Sequence, residues 1–170
     1  NRLTTDYEYD KNGRLTKETL ATRTPATAPR TVEYTYDQYD RQLLVIRDSA
    51  GLDITTSSTT YDANGNAITQ KDGENRGTVS EYDKYDRLTK RKTLSLNYYT
   101  KYSHNSGGRV TKTQQYSSGG TELAYTINEF DDRGNLTKVK EKAKKADGST
   151  NLESGGDGER VTTYTYDNLG

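Results

Sequence analysis

Aromatic and polar residues alternate in a short block that recurs along the chain. In its clearest form, two aromatic residues flank one other residue and are followed by Asp. A short polar stretch then leads to Arg or Asn, an aliphatic residue, Thr and Lys. The aromatic pair has a period of two, which places both rings on the same face of a β-strand. The pattern therefore predicts a series of short strands separated by turns.

Seven copies of this block are present, with their Asp or Asn positions 21 to 36 residues apart. The repeat residues are Tyr7, Tyr9, Asp10 and Gly13; Tyr34, Tyr36 and Asp37; Tyr61, Asp62 and Gly65; Tyr82 and Asp83; Tyr102, Asn105 and Gly108; Phe130, Asp131 and Gly134; and Tyr164, Tyr166 and Asp167. Because the copies continue from end to end, we expect residues 1–170 to form a single array truncated at both ends, without separate domains.

The residues that follow the aromatic pair have the composition of a tight turn. Asp at the first position and Gly at the fourth favour a type I turn followed by a left-handed residue, which is a frequent hairpin connection. We therefore expect positive φ at the motif glycines, and also at Asp40 and Asp86, which replace Gly in two copies. The repeat Asp is expected to accept hydrogen bonds from backbone N–H groups of its turn.

The composition favours strands with a thin apolar core. Leu, Ile, Val and Phe total 24 of the 170 residues, whereas Tyr contributes 15 and Thr 27. Tyr buries a large ring while keeping a polar tip, and Thr favours strands. We interpret the aromatic stripe as the core of a sheet, the alternative being a stacking platform for sugars or bases. The predicted fold is all-β: consecutive antiparallel β-hairpins that form a curved sheet strip, with at most one helical turn near Glu141.

The charge balance and the scarcity of reactive residues argue against several functions. Lys and Arg total 25, as do Asp and Glu, and this neutral balance does not favour a nucleic-acid partner. The absence of Cys and the single His exclude thiolate and multi-histidine metal sites. The stretch 62–73 has neither the Gly nor the Glu that a helix-loop-helix calcium site requires. No apolar run approaches the roughly 20 residues that cross a bilayer, so membrane insertion is not expected.

No constellation for catalysis is visible either. His104 stands where other copies carry an aromatic residue, and no nucleophile with an orienting group accompanies it. We therefore expect a protein that is not an enzyme and binds no cofactor or metal. The segments 71–77 and 117–120 are predicted turns. The lysine-rich stretch 138–145 is interpreted as a strand whose lysines point to water and protect a sheet edge, or else as a basic contact patch.

These repeats resemble the YD repeats of RHS-repeat proteins. The resemblance rests on Tyr34-Thr35-Tyr36-Asp37, on Tyr164-Thr165-Tyr166-Asp167 and on the block 7–16, and it covers essentially the whole chain. Members of that family are large secreted or surface proteins of bacteria, with animal relatives in the teneurins. The resemblance implies a structural segment of a β-shell that encapsulates or displays a C-terminal toxin domain. Its partners would be the remaining repeats and that domain of the parent chain.

Two further expectations accompany this resemblance. The chain contains no Met, which suggests an internal piece of a longer protein, and it has no Asp-Pro dipeptide of the kind expected in a self-cleaving core-end segment. The alternative function is a carbohydrate-binding or adhesion module that contacts cell-surface glycans through exposed tyrosines. Saturable binding of one glycan, abolished by replacing two exposed tyrosines, would distinguish this module from a shell wall.

Overall fold

A computed structural model describes residues 4–20, 30–48, 53–96, 98–143 and 159–167. Within these ranges the chain forms thirteen β-strands and no helix. The strands are β1 (Thr5–Tyr9), β2 (Leu15–Leu20), β3 (Arg30–Tyr36), β4 (Gln42–Asp48), β5 (Asp53–Tyr61), β6 (Ala67–Asp72), β7 (Gly77–Tyr82), β8 (Leu88–Thr93), β9 (Tyr99–His104), β10 (Val110–Tyr116), β11 (Glu122–Phe130), β12 (Leu136–Ala143) and β13 (Glu159–Thr163). The all-β prediction is confirmed.

The chain divides into two compact units, residues 1–79 and residues 80–170. In the first unit, β1 to β6 and the beginning of β7 pair in chain order, and the pairing is antiparallel throughout. In the second unit, the end of β7 and the strands β8 to β13 follow the same order. Neighbours in sequence are thus neighbours in the sheet, which confirms the consecutive hairpins. The absence of separate domains stays a prediction.

The motif turns lie along one edge of the sheet in each unit. They connect β1 to β2, β3 to β4 and β5 to β6 in the first unit, and β7 to β8, β9 to β10 and β11 to β12 in the second. Because adjacent strands run in opposite directions, the turns between the motif hairpins that the structure describes belong to the opposite edge. The turns 72–76 and 117–121 lie there, which confirms the turns that the sequence predicts at both places. In each unit, we call the edge of the sheet that is formed by the motif turns the motif edge.

Each motif turn has the predicted geometry of a type I turn followed by a left-handed residue. In the first copy, the Gly13 N–H donates to the Asp10 carbonyl at 3.0 Å, and the Asp10 N–H donates to the Arg14 carbonyl at 2.9 Å. The left-handed residues and their φ angles are Gly13 (80°), Asp40 (64°), Gly65 (97°), Asp86 (60°), Gly108 (78°) and Gly134 (89°). The prediction of positive φ is confirmed at all six positions.

The aromatic stripe does not form an enclosed core. Among the described residues no large hydrophobic side chain is buried, and the only buried polar residue is Ser80. Tyr34 and Tyr36 are half-buried, whereas Tyr7 and Tyr9 are exposed. The interpretation of the stripe as the core of a sheet is therefore wrong for the described residues, none of which is a buried hydrophobic residue. The physical reason is that such rings lie against polar side chains of the same sheet, as Tyr36 does against Arg14 and Tyr61 against Arg41.

The strand β12 corrects two expectations for the lysine-rich stretch. Glu141, near which the sequence suggests a helical turn, lies inside β12 and pairs with Thr126 on one side and Arg160 on the other. Because β12 is flanked by both β11 and β13, it is not an edge strand. Its described lysines therefore do not protect an edge. Residues 144 and 145 of that stretch lie outside the described residues.

Replacing Gly108 with Ala should lower the free energy of unfolding by about 1–2 kcal/mol, the cost of placing a residue with a Cβ in left-handed backbone. The cost is purely conformational, because a Cβ at Gly108 would meet no atom within 4 Å. Urea unfolding followed by circular dichroism measures it. The control is Gly119→Ala, which lies in a turn without positive φ. Equal unfolding midpoints for the two variants would contradict the turn assignment.

Candidate functional site

The repeat Asp organises each motif turn through one carboxylate oxygen. Asp10 Oδ1 accepts hydrogen bonds from the backbone N–H of Asn12 at 2.9 Å and of Arg14 at 3.0 Å. Asp37 binds the N–H groups of Tyr39 and Arg41 in the same way, at 2.8 and 3.0 Å. The turn N–H groups are thereby satisfied, which confirms the capping role that the sequence predicts.

The second carboxylate oxygen binds the side chain four residues later, which sequence reasoning missed. The contacts to Asp Oδ2 are Arg14 Nε at 2.6 Å, Arg41 Nε at 2.6 Å, Asn66 Nδ2 at 3.0 Å, Arg87 Nε at 2.8 Å and Asn135 Nδ2 at 3.0 Å. The signal was the constant spacing of four between Asp and an Arg or Asn whose side chain can donate hydrogen bonds. The exception is the fifth copy, where Asn105 replaces Asp and its Oδ1 accepts, within the described residues, only the backbone N–H of Arg109, at 2.9 Å.

The arginine then reaches the next motif along the edge. Arg14 Nη1 donates to the Asp37 carbonyl at 2.9 Å and to Asp40 Oδ1 at 2.7 Å. In the second unit, Arg87 Nη1 donates to the Asn105 carbonyl at 2.9 Å. One guanidinium therefore joins two consecutive hairpins. The Asp at the left-handed position of the second copy is thus an ion-pair partner as well as a turn residue.

The second aromatic of the next motif completes the link. The guanidinium carbon of Arg14 lies 5.1 Å from the ring centre of Tyr36, and that of Arg41 lies 4.4 Å from Tyr61. The hydroxyl group of this second aromatic also donates a hydrogen bond to the preceding hairpin. The acceptor there is the backbone carbonyl of the residue that follows the clamp Arg or Asn. These bonds are Tyr36 to Leu15 at 2.9 Å, Tyr61 to Gln42 at 3.3 Å and, after Asn135, Tyr166 to Leu136 at 2.8 Å. We call this set of contacts the clamp: Asp, the side chain four residues later, and the next aromatic.

The motif Thr has its own position in the hairpin. The strand register skips Thr16, Thr111 and Thr137, so each is the extra residue of a β-bulge. Each hydroxyl donates to a carbonyl across the hairpin, at 3.1 to 3.2 Å. A bulge disturbs the regular ladder of hydrogen bonds. At the bulge, the hydroxyl groups of the motif Thr and of the neighbouring Tyr donate hydrogen bonds to backbone carbonyls, for example to those of Glu8 and Leu15.

Copies of the motif that depart from its usual sequence retain part of the clamp through other residues. Phe130 has no hydroxyl, and Asn128, on the same face, donates from Nδ2 to the Val110 carbonyl at 3.1 Å instead. Where His104 replaces the aromatic residue, Arg87 lies over the ring of Tyr85 at 5.2 Å. The clamp therefore tolerates substitution at single positions.

A turn with the same chemistry lies on the opposite edge. Asp72 Oδ1 accepts from the N–H groups of Glu74 at 3.0 Å and Arg76 at 2.9 Å, and Asp72 Oδ2 accepts from Arg76 Nε at 2.8 Å. Asn75 is left-handed, with φ of 60°. The sequence does not reveal that the turn 72–76 resembles the motif turns, because no aromatic residue directly precedes Asp72.

The clamp lowers the pKa of the motif carboxylates. The hydrogen bond from the Arg87 side chain is the largest cause at Asp83, and it outweighs burial, so that the pKa falls from 3.8 to about 2. At Asp62 the side-chain amide of Asn66 is the first cause of a lowered pKa. These carboxylates therefore stay ionised well into the acid range.

The described ranges contain no cluster of metal-ligating side chains. No group of three or more His, Cys, Asp or Glu residues there can hold a metal ion. His104 lines a shallow hollow with Tyr85, Arg87 and the turn 105–108. Among the residues that the structure describes, no helix has the length and apolar character of a membrane span. The chemistry of the motif edge is structural attachment.

Consecutive hairpins that a repeated clamp fastens to one another within each unit define a YD-repeat shell segment. The teneurin YD-shell family model matches residues 1–170, and the chain belongs to this family. No curated protein matches the chain.

Solved structures similar to this chain include two of TcdB2-TccC3. The structure of TcdB2-TccC3 without its hypervariable C-terminal region matches with a TM-score of 0.52 and 18% sequence identity, over 98% of this chain and 10% of that chain. The structure of TcdB2-TccC3-Cdc42 matches with a TM-score of 0.50 and 16% identity, again over 98% and 10%. At this identity the likeness concerns the fold, and the chain spans about a tenth of the length of these structures.

Replacing Tyr36 with Phe should lower the free energy of unfolding by about 0.5–1.5 kcal/mol, because the Leu15 carbonyl loses the hydroxyl that donates to it. The ring and its contact with Arg14 remain. Thermal unfolding of the variant measures the loss. The control is Tyr39→Phe, since the Tyr39 ring is largely exposed at a turn tip. A control that is destabilised as much as Tyr36→Phe would contradict the hydroxyl bond.

The contribution of Asp83 to stability should be lost in acid. Its folded pKa, about 2, lies below the unfolded value of 3.8, so the contribution is complete above pH 3.8 and disappears as the pH falls through about 2. Melting temperatures of the unmodified chain and of Asp83→Asn should therefore differ at pH 5 and converge near pH 2. Asp132→Asn, a turn-tip variant with the same charge change, serves as the control. A constant difference between pH 5 and pH 2 would refute the assignment.

Proposed function

We propose that this chain is a non-catalytic wall segment of a larger RHS/YD-repeat protein that is secreted or held at the bacterial cell surface. The wall encapsulates or displays a C-terminal domain of the parent chain, such as a toxin. Its partners are the neighbouring repeats and that domain. The family match over the whole chain supports the wall, and one of the similar structures is described as lacking a hypervariable C-terminal region.

The clamp is the observation that carries this proposal. Arg14 is bound to the Asp of its own turn, to the backbone of the next turn, and to the face of the next aromatic ring. Such contacts join neighbouring hairpins within each unit and require no closed core. A repeat protein gains its stability largely from interfaces between neighbours, and that arrangement suits an extended wall.

The second candidate is a carbohydrate-binding or adhesion module for cell-surface glycans. It is favoured by Tyr39 and Tyr85, whose turn-tip rings are 66% and 65% exposed. Each of these rings already faces an arginine of its own motif, with Arg41 at 5.1 Å and Arg87 at 5.2 Å from the ring centres. The clamp explains more of the recurring residues than glycan binding does, so the wall ranks first.

Limited proteolysis of the parent protein tests the wall. In the unmodified parent we expect the C-terminal domain to resist the protease because the shell encloses it. Replacing Arg14 and Arg87 with Gln removes one clamp arginine from each unit, and we expect the C-terminal domain to be cut several times faster. Arg133→Gln, at a motif turn tip and outside the clamp, should leave the protection unchanged. Rapid cutting of the C-terminal domain in the unmodified parent would contradict enclosure.

A further inference from the structure

Seven lysines of the second unit lie on one face of the sheet, opposite the face that carries the motif tyrosine Tyr102. They are Lys90 and Lys92 on β8, Lys101 on β9, Lys112 on β10, and Lys138, Lys140 and Lys142 on β12. Directly paired residues share a face, as do alternate residues within one strand. Lys90 pairs with Lys101, and Ile127 pairs with both Lys112 and Lys140. A protein with no net charge thus places seven lysines on a single face, which also carries Glu122, Glu129 and Glu159.

Carboxylates of the described residues neutralise only part of this face. Glu81 binds Lys90 at 2.8 Å, and Glu129 binds Lys140 at 2.9 Å and Lys138 at 3.4 Å. Among the described residues, Lys92, Lys101 and Lys112 form no ion pair within 4.0 Å. These three lysines sit on the adjacent strands β8, β9 and β10.

The three lysines form a diagonal row. Lys92 pairs with Tyr99, and Lys101 follows two residues later on the same strand. Lys101 pairs with Gln114, and Lys112 lies two residues before it. Each step crosses one strand and advances two residues, which corresponds to about 8 Å between successive Cα atoms. We call Lys92, Lys101 and Lys112 the lysine diagonal.

Two stacked tyrosines support the middle of the lysine diagonal. The rings of Tyr99 and Tyr116 are nearly parallel, with centres 4.8 Å apart. The Lys101 ammonium lies 5.9 Å from the first ring centre and 5.3 Å from the second. These cation–π contacts hold the Lys101 ammonium group over the two rings. The lysine diagonal therefore lies next to an aromatic surface.

We propose that the lysine diagonal binds an extended acidic polypeptide segment with carboxylates at alternate positions. Alternate side chains of an extended chain lie on one side, about 6.6–6.8 Å apart. The flexible four-carbon stems of lysine adjust the spacing of about 8 Å between their Cα atoms to this value. Like charges close together on a sheet face are unfavourable, and a row of carboxylates relieves that repulsion. The inference does not depend on the proposed wall function.

Titration of the full chain with two peptides tests the proposal. One peptide alternates Glu and Thr, and its isomer has the same composition with all Glu residues in one block. The chain has no Trp and neither peptide has an aromatic residue, so tyrosine emission of the chain reports binding. We expect the alternating peptide to bind more tightly than the block isomer. Added salt should weaken binding, because exposed charges are screened.

The variant Lys101→Gln/Lys112→Gln should weaken binding of the alternating peptide about fivefold. The charge-matched control Lys11→Gln/Lys84→Gln alters two turn-tip lysines and should bind like the unmodified chain. Equal loss in both variants, equal affinity for both peptides, or no binding at all would overturn the proposal. Stronger binding of a polyuronate glycan, with competition against the peptide, would also overturn it in favour of an anionic sugar. Unchanged circular dichroism of the variants verifies that they remain folded.

Discussion

The contact between each motif Asp and the side chain four residues later is the interaction on which the rest of this structure depends. The carboxylate of Asp10 closes the turn with one oxygen and holds Arg14 Nε with the other. Because the guanidinium is planar and its donors are fixed in direction, holding Nε aims Nη1 at the next hairpin. A contact within one turn thus positions the arginine that binds the next repeat. Without the Asp, the arginine would be a flexible surface side chain.

Attachment of this kind explains how sheets with no buried hydrophobic side chain in the described residues hold together. Each partly exposed ion pair contributes only about 0.2–1 kcal/mol, and each hydroxyl-to-carbonyl bond about 0.5–1.5 kcal/mol. The contributions recur along the motif edge, and each one stabilises a neighbour as well as its own hairpin. The half-buried Tyr36 then acts through its hydroxyl and its ring face, and not as a residue of an enclosed core.

The sequence predicts what depends on adjacent residues and misses what depends on register. The positive φ of Gly13 and the capping by Asp10 follow from a few consecutive residues, and both were predictable. The reach of Arg14 to Asp37 requires knowing which hairpins are neighbours. The common face of Lys101 and Lys112 depends on a bulge, since the register skips Thr111 and shifts every later residue of β10 by one. Assigning residues to the two faces by strict alternation along the sequence does not predict that shift.

The division of the clamp into several contacts explains why the motif can vary so much between copies. A hairpin that loses the aromatic hydroxyl at Phe130 keeps the ring, with Arg109 at 5.9 Å, and gains the Asn128 bond to Val110. A copy with Asn66 in place of arginine keeps the bond to the Asp carboxylate. Since several contacts share the attachment, the loss of one contact weakens the link between two hairpins without abolishing it. Attachment of this kind requires only interchangeable donors and acceptors along one edge, and a similar fold occurs at 18% sequence identity.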